Sequence, residues 1–266
     1  MKTKLTIALF FISTIVSAQA PQKLWETFLD GNLTGKDVVN SVVSDAVGNI
    51  FVTGTSYQTV SNGNFTTVKY DADGVQQWAD YYNGTASGVT NRGKKIVLDK
   101  WQNVYALGTV ALHAGDIAIV KYNQNGKSWS HNYEPYWFGS DADFGVDIAV
   151  DSSGYLYACG QVTSLSGNLW DMYTMKCDTA GVKIYEENFS SASGDDYPAG
   201  VAVTAGGNFF ALTSSFDFFG SATYDIFTIN YLSNWNHNWE SKYSGEGNGV
   251  DYGTFIKVDD ASNQYV

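Results

Sequence analysis

One short motif returns along the chain at an almost constant interval. The stretch GNIFVTG at 48–54 comes back as QNVYALG at 102–108, GYLYACG at 154–160 and GNFFALT at 207–213, with a partial copy SNQYV at 262–266. The copies are preceded by Asp45, Asp99, Asp151, Thr204 and Asp259, at spacings of 54, 52, 53 and 55 residues. Such a period indicates one supersecondary unit of about fifty residues that is stacked several times.

Each repeat has the pattern of four β-strands. In the first copy we expect strands at 38–44, 50–57, 65–70 and 75–82, because β-branched and aromatic residues alternate there with polar ones. Clusters of Gly, Asp and Asn separate these runs, and no sustained helical period follows the first twenty residues. The prediction is an all-β fold, an incomplete β-propeller of four-stranded antiparallel blades. The repeats start near 37, 91, 143, 196 and 251, which predicts about four full blades plus a partial blade at each end.

Bulky aromatic residues recur at fixed positions of the repeat. The position of Trp78 is filled by Trp25, Trp129, Tyr185 and Trp239 in the other copies. A tryptophan column is compatible with sugar binding, but residues required in every blade usually pack between neighbouring blades. We therefore interpret this column as interblade packing.

The combined pattern resembles a known bacterial repeat. An Asp-aromatic-Gly start, the Val-Asp-x-x-Gly-Asn-aromatic turn and the later Lys-Tyr-Asp-x-x-Gly run, carried in the first copy by 37–54 and 64–78, are similar to the SBBP-type β-propeller repeat. The resemblance implies a propeller in a secreted or surface protein of Bacteroidetes-like bacteria, without defined catalytic residues. The fourth copy departs from the pattern, with Thr204 for Asp and Trp235 for the turn Gly.

The ends of the chain suggest export and an unfinished ring. Met1–Ala20 has two lysines, an apolar run and small residues before 21, which predicts a secretory signal peptide. Residues 21–266 then form the repeat domain, with localisation outside the cell or on the outer surface of a Gram-negative bacterium. Residues 22–29 align with a fourth strand alone and 251–266 with a first and part of a second. We expect a C-terminal truncation, with further blades or a sorting module in the missing region.

Composition excludes some partners. The formal net charge is −12, which disfavours nucleic acid and anionic membranes because both select basic patches. No later segment is typical of a transmembrane helix. The two cysteines, Cys159 and Cys177, are expected on neighbouring strands of one blade, and the sequence leaves open whether they form a disulfide.

Catalytic signatures are absent from the sequence. The three histidines fall at unmatched repeat positions, and no Gly-x-Ser-x-Gly motif occurs. The run from Asp71 to Gly74 resembles the start of a calcium loop, but the twelfth position is Tyr82, so we interpret it as a hairpin turn. The prediction is that the protein has no cofactor and that an enzymatic role is the less favoured one.

Two columns of acidic or amide residues repeat at the starts of strands. The first column consists of Asp37, Asn91, Asp143, Asp196 and Asp251, and the second of Asn64, Asp116, Asp171 and Asp225. Strand order in an antiparallel blade places both columns on one face of the disc, the first around the mouth of the central channel. They either accept backbone N–H bonds that fix the loops or, in the first column, hold a cation such as Ca²⁺.

Aromatic residues that break the repeat are the better candidates for function. Tyr136, Trp137 and Phe138 follow the second blade, Trp170 ends a loop of the third, and Phe216, Phe218, Phe219 and Tyr224 lie in a loop of the fourth. All are expected on the face that carries the acidic columns, where loops on a rigid scaffold collect binding residues. The alternative is that these aromatics cover blade edges.

Two functions follow from these residues. The first is a secreted or cell-surface binding or scaffold module that recognises a glycan or a protein through its loop face. The second is an exported carbohydrate-active enzyme, a lyase or hydrolase, that uses carboxylates on the channel face. A purely structural spacer is a third reading of the same repeat.

Overall fold

The computed structural model describes residues 24–29, 36–59, 62–84, 90–111, 115–135, 143–163, 169–191, 194–217, 223–247, 249–259 and 261–266. The expected signal peptide Met1–Ala20 lies outside these residues, as does His113. Every regular element in the described part of the chain is a β-strand. No described helix has the length and apolarity that crossing a membrane would require.

The described residues contain eighteen strands that follow one another in sequence. Blade 1 contains β1 Val38–Ser44, β2 Ile50–Thr59, β3 Asn62–Tyr70 and β4 Gln76–Tyr82. Blade 2 contains β5 Arg92–Leu98, β6 Val104–Val110, β7 Asp116–Asn123 and β8 Gly126–Tyr133. Blade 3 contains β9 Phe144–Val150, β10 Leu156–Thr163, β11 Trp170–Cys177 and β12 Lys183–Phe189. Blade 4 contains β13 Asp196–Val203, β14 Phe209–Asp217, β15 Thr223–Tyr231 and β16 His237–Tyr243, and the pair β17 Lys257–Val258 and β18 Gln264–Tyr265 follows.

Each blade is an antiparallel sheet whose strands are paired in sequence order, from the innermost to the outermost. We refer to the four positions as strands a, b, c and d. The a–b and c–d turns therefore share one face of the disc, and the b–c and d–a loops share the opposite face, which we call the loop face. The predicted first strand, 38–44, has the observed bounds, whereas the second extends to Thr59 and the third begins at Asn62.

The repeated aspartate shapes the a–b turn. The Oδ1 atom of Asp45 accepts hydrogen bonds from the N–H groups of Val47 at 3.1 Å and Asn49 at 2.8 Å. In blade 4 the hydroxyl of Thr204 accepts the bond from Asn208 N–H at 3.1 Å. A side-chain oxygen that accepts the N–H group of the residue four positions later is sufficient for this turn. Thr can therefore replace Asp at this position while the turn is kept.

The glycine that ends the repeated motif is required by a close backbone approach. A β-carbon on Gly108 would lie 2.1 Å from the carbonyl oxygen of Arg92 on strand a, and one on Gly54 would lie 1.9 Å from that of Val38. Strand a is irregular beside both glycines. At Gly54 and Gly108 only glycine leaves room for this approach.

The core is divided into layers between neighbouring blades. Between blades 1 and 2, Phe51 and Phe65 pack with Ile96, Val120 and Tyr122, all at most 1 % exposed. Comparable clusters join blades 2 and 3 and blades 3 and 4, and a smaller one joins blade 4 to Ile256. Because burial occurs between blades, each blade depends on its neighbours for a core.

The tryptophan column lies in these interblade layers. Trp78 on strand d of blade 1 stacks on Tyr122 of blade 2, with ring centroids 5.1 Å apart. Its Nε1 atom donates to the carbonyl oxygen of Gln124 in the c–d turn of blade 2, at 3.3 Å. The column thus joins strand d of one blade to the turn of the next, as the packing interpretation requires.

Candidate functional site

The first polar column joins neighbouring blades through its backbone. The N–H groups of Asn91, Asp143 and Asp251 donate to carbonyl oxygens at the start of strand c in the preceding blade, at 2.9, 2.9 and 2.8 Å. Each acceptor residue directly precedes a member of the second column, so the two columns meet at these three junctions. The spacing of the repeat therefore brings polar side chains from two blades together on the loop face.

The side chains of this column also stabilise loops. The Oδ1 atom of Asn91 accepts the N–H groups of Gly84 at 2.9 Å and Ala111 at 2.8 Å, and Asp251 accepts that of Gly245 at 2.7 Å. In blade 1, Asp37 accepts the N–H of Tyr57 at 3.1 Å. These bonds are those expected of residues that fix loop geometry.

The described residues contain no cluster of side chains that supports the predicted metal site. Asn91, Asp143 and Asp196 are only 6, 8 and 0 % exposed. Within the described ranges, no three His, Cys, Asp or Glu side chains converge as a ligand set. A Ca²⁺ ion in the column of Asp37, Asn91, Asp143, Asp196 and Asp251 stays a prediction.

Asp196 has a buried and perturbed carboxyl group. It accepts hydrogen bonds from Ser191 N–H at 2.8 Å and from the hydroxyl of Ser215. Burial is the largest of the effects that together raise the pKa of the Asp196 carboxyl to about 6; the hydrogen bonds from Ser215 and Ser191 lower this pKa, and the nearby charge of Asp171 makes a smaller contribution that raises it. A buried carboxyl with this pKa is partly protonated in mildly acidic solution.

The cysteines are both buried and both reduced. In the pairing of β10 with β11, Cys159 lies opposite Thr174 and Cys177 opposite Leu156, a three-residue offset that turns them to opposite faces of the sheet. Cys177 belongs to the core between blades 2 and 3 and Cys159 to that between blades 3 and 4. The question of a disulfide is thereby answered by the register, and burial raises the pKa of the Cys177 thiol to about 12.

The central channel offers one acidic side chain among its described lining residues. Its cavity of about 500 Å³ is lined by strands a, including Lys95, Asp147, Val201 and Lys257. Asp147 pairs with Lys95 at 3.3 Å, and its Oδ2 atom accepts Val201 N–H at 3.0 Å. Glycoside hydrolysis normally needs two carboxyl groups at a defined separation, and this lining supplies a single, already bonded one.

Part of the predicted aromatic set lies on the loop face between blades 3 and 4. Trp170 and Phe216 are both half-buried there, with Phe216 packed over Gly194. Tyr136, Trp137, Phe138, Phe218 and Phe219 lie outside the described residues. Their role on this face stays a prediction.

The structure adds Tyr197 and Tyr252, which sequence reasoning missed, to Tyr224, which the sequence already indicated. Tyr197, Tyr224 and Tyr252 form a row with ring centroids 5.4 and 5.9 Å apart, and Phe216 meets Tyr224 edge-on at 5.4 Å. Tyr197 and Tyr252 are 37 and 58 % exposed. We call Trp170, Tyr197, Phe216, Tyr224 and Tyr252 the aromatic cluster.

Asp195 accepts hydrogen bonds from two residues of the aromatic cluster. Its Oδ1 atom accepts the backbone N–H of Trp170 at 2.9 Å, and its Oδ2 atom accepts the hydroxyl of Tyr197 at 3.1 Å. Burial, and then the bond to Asp195, raise the pKa of Tyr197, so its hydroxyl stays protonated at neutral pH. The site thus presents ring faces beside a carboxylate and phenol groups, a set suited to the apolar and hydroxyl faces of a sugar.

Comparisons place the architecture among known folds. No protein-family model matches the sequence, and the search of curated proteins finds no match either. Among solved structures, an α-L-arabinanase of Penicillium chrysogenum complexed with arabinobiose aligns with a TM-score of 0.52 and 9 % identity, over 84 % of this chain and 71 % of that one. The fold is a β-propeller.

A second solved propeller agrees with this assignment. The α-L-arabinofuranosidase of Fusarium graminearum, in complex with an iminosugar inhibitor, aligns with a TM-score of 0.51 and 9 % identity, over 83 % of this chain and 70 % of that one. Identity at this level establishes the shared β-propeller fold, and it carries neither residues nor activity from one chain to the other. The predicted fold class, an incomplete propeller of four-stranded blades, is confirmed.

Proposed function

We propose that this β-propeller is a secreted or cell-surface binding module that recognises a glycan through the aromatic cluster. The observation that carries the proposal is the row of Tyr197, Tyr224 and Tyr252, partly exposed beside Asp195 on the loop face. Aromatic rings give contact area at little entropic cost, and a neighbouring carboxylate orients hydroxyl groups. The SBBP-type repeat suggested by the sequence is consistent with such a surface role.

The class of ligand follows from chemistry and charge. Both similar propellers act on arabinose-containing carbohydrates according to their names, which agrees with a sugar ligand for this fold. The chain carries a net charge of −12, and Asp195 lies in the site. We therefore propose neutral glycans over uronate-rich or sulfated ones, which this charge would repel.

Catalysis is the weaker of the two functions considered. A hydrolase would need a second carboxyl group facing the reacting bond, and Asp147 is the one acid among the described residues that line the channel. The carboxylate of Asp195 already accepts two hydrogen bonds. We propose binding without turnover.

A glycan array followed by calorimetry on the best neutral ligand tests the proposal. We expect Tyr197→Ala and Tyr252→Ala each to weaken binding about tenfold, equivalent to about 1.4 kcal/mol, because each removes a stacking face. Trp137→Ala tests the loop that the structure does not describe. Trp101→Ala is the matched control, since Trp101 is 54 % exposed in an a–b turn on the opposite face.

The outcomes separate the alternatives clearly. Retained affinity in the Tyr197→Ala, Tyr252→Ala double variant, with an unchanged melting temperature, would remove the aromatic cluster as the binding site. An equal loss of affinity in Trp101→Ala would mean that the aromatic substitutions act through general destabilisation. Release of reducing sugar during incubation would favour the enzymatic reading.

A further inference from the structure

Two positions of the repeat carry aromatic rings on the loop face of blades 3 and 4. One position directly follows the first polar column and holds Phe144 in blade 3, Tyr197 in blade 4 and Tyr252 after blade 4. The other position directly precedes the second polar column and holds Trp170 and Tyr224. We call these residues the extended row, which adds Phe144 to the aromatic cluster and leaves out Phe216.

The same two positions carry no rings in blades 1 and 2. Val38 and Arg92 follow the first column there, and Gly63 and Gly115 precede the second. Blades 1 and 2 nevertheless form the same four-stranded sheets as blades 3 and 4. Side chains that a blade needs for packing recur in every blade, as the Trp78 column does. The rings of the extended row are therefore not explained by the requirements of the blade.

Ring contacts join the row within each blade. In blade 3 the rings of Phe144 and Trp170 have centroids 5.6 Å apart and planes tilted by 45°. In blade 4 the rings of Tyr197 and Tyr224 repeat this pair, at 5.4 Å and 48°. The similar distances and angles mean that one geometry is used twice along the loop face.

Other contacts carry the row across the blade junctions. Tyr224 stacks on Tyr252 of the following segment, with centroids 5.9 Å apart and planes at 27°. Between blades 3 and 4 the link is the carboxylate of Asp195, which accepts the backbone N–H of Trp170 at 2.9 Å and the hydroxyl of Tyr197 at 3.1 Å. The row therefore continues from strand a of blade 3 to the segment after blade 4.

The extended row is an open surface. Its residues are half-buried or exposed, with Tyr197 at 37 % and Tyr252 at 58 % exposure. Beside Phe144, the equivalent position of blade 2 is Gly115, which has no side chain that could close this end of the row. Partly exposed rings cover only one side of a ligand, so each contact contributes little and several must be made together.

We propose that the ligand of this site is an extended neutral polysaccharide chain, with consecutive sugar units lying along the extended row. This inference rests on the proposed function and specifies its ligand as a run of internal units, in contrast to a chain end or a single sugar. The ring pairs are 5.4 to 5.9 Å apart, a spacing comparable to one sugar unit of an extended chain. The apolar face of a unit packs on a ring, and the remaining lone pairs of Asp195 accept hydroxyl groups near the middle of the chain.

A chain-length series tests this inference. Arabinan, galactan, mannan and β-glucan are compared first, and the polysaccharide that binds best is hydrolysed to oligosaccharides of graded length, which are the probes for calorimetry. We expect affinity to rise about tenfold from the disaccharide to the long oligosaccharides and then to level off, because each added unit gains a ring contact until the row is filled. Reduction of the terminal sugar to an alditol should leave the affinity of the long oligosaccharides unchanged.

Substitutions at one end of the row complete the test. Phe144→Leu keeps the apolar volume but removes the ring, so it should weaken binding of the long oligosaccharides about fivefold and reach its plateau with a shorter chain. Phe144→Tyr keeps the ring and should bind as the parent does. Val38→Leu is the matched control, because Val38 is 44 % exposed at the same repeat position of blade 1, outside the row. Melting temperatures establish that each variant is folded.

The outcomes separate this inference from the proposed function. Equal affinity for the disaccharide and the long oligosaccharides, a large loss on alditol formation, or a loss in Phe144→Leu that does not depend on chain length would overturn it and leave glycan binding intact. An equal loss in Phe144→Tyr would also overturn it, since residue 144 would then act through local packing. If none of the polysaccharides binds, the proposed function fails and this inference fails with it.

Discussion

At the scale of single residues, the blade junctions show how one position tolerates two chemistries. Asn91 and Asp196 occupy the same repeat position and both accept backbone N–H bonds of nearby loops. Asn91 is neutral, while Asp196 is fully buried with Asp171 nearby. Burying a carboxylate without a cation is costly, so the amide is the less demanding solution for this site.

We predict that Asp196→Asn stabilises the protein at neutral pH. The folded pKa of about 6 lies above the ordinary value of 3.8, so the folded state binds the proton more tightly than the unfolded chain does. The parent should therefore lose stability as pH rises from about 4 to about 6, by on the order of 3 kcal/mol.

Urea unfolding at several pH values checks this prediction. The Asn variant should lack the decline and exceed the parent above pH 6, because its side chain does not ionise. Asp73→Asn, in an exposed turn, serves as the control. A variant less stable than the parent at pH 7 would mean that the Asp196 carboxylate is compensated by a bound cation.

At the scale of structural elements, the junction between blades 3 and 4 exchanges large and small residues. At the junction between blades 2 and 3 a strand-d tryptophan packs over a turn glycine: a β-carbon on Gly181 would lie 2.7 Å from the ring of Trp129. In blade 4 the turn residue is Trp235, with φ at 68°, and strand d of blade 3 carries Tyr185. The rings of Tyr185 and Trp235 stack with their centroids 5.9 Å apart. A large indole ring therefore still fills this junction, but it comes from the turn of blade 4 instead of strand d of blade 3.

We predict strong coupling between these two positions. Trp235→Gly alone should cost about 3 kcal/mol, because Trp235 also stacks on Phe209 and Tyr231 at 5.2 Å. Tyr185→Trp alone should cost roughly 1–3 kcal/mol through overpacking. The double variant restores the Trp–Gly arrangement and should be more stable than Trp235→Gly. Additive costs in a double-mutant cycle measured by urea unfolding would contradict this account.

At the scale of the whole molecule, stability should vary along the arc of blades. Blades 2 and 3 are each packed against a neighbouring blade on both sides. The core that joins blade 4 to β17 is smaller, and its buried residues are Ile256 and three residues of blade 4. In stacked repeats each unit is stabilised by its neighbours. The ends of the arc are therefore the regions of lowest local stability.

Native-state hydrogen exchange tests this gradient. We expect the slowest amides in β6, β7, β10 and β11, the interior strands of blades 2 and 3, and fast exchange in β17 and β18. Uniform protection across all four blades would show that the molecule unfolds as one cooperative unit. Far-ultraviolet circular dichroism should show β structure without measurable helix in the folded domain.

By itself, the sequence determined the repeat, the strand order and most strand bounds, because strand alternation and turn chemistry are local properties. The repeated Asp45-type turn and the Trp78 packing column were recognisable for the same reason. It also pointed to Trp170 and Phe216, since they break the repeat.

Only the tertiary structure decided contacts between elements. The offset between Cys159 and Cys177 depends on strand register, which the local pattern does not encode to a single residue. The group of Asp195, Tyr197, Tyr224 and Tyr252 comes from three places in the chain, and the sequence pattern treats an aromatic after the column aspartate, such as Tyr197, as an ordinary position of the repeat. Tyr197 and Tyr224 meet because strands a and c of blade 4 begin on the same face, and Tyr252 reaches them because the segment after blade 4 packs against the start of strand c.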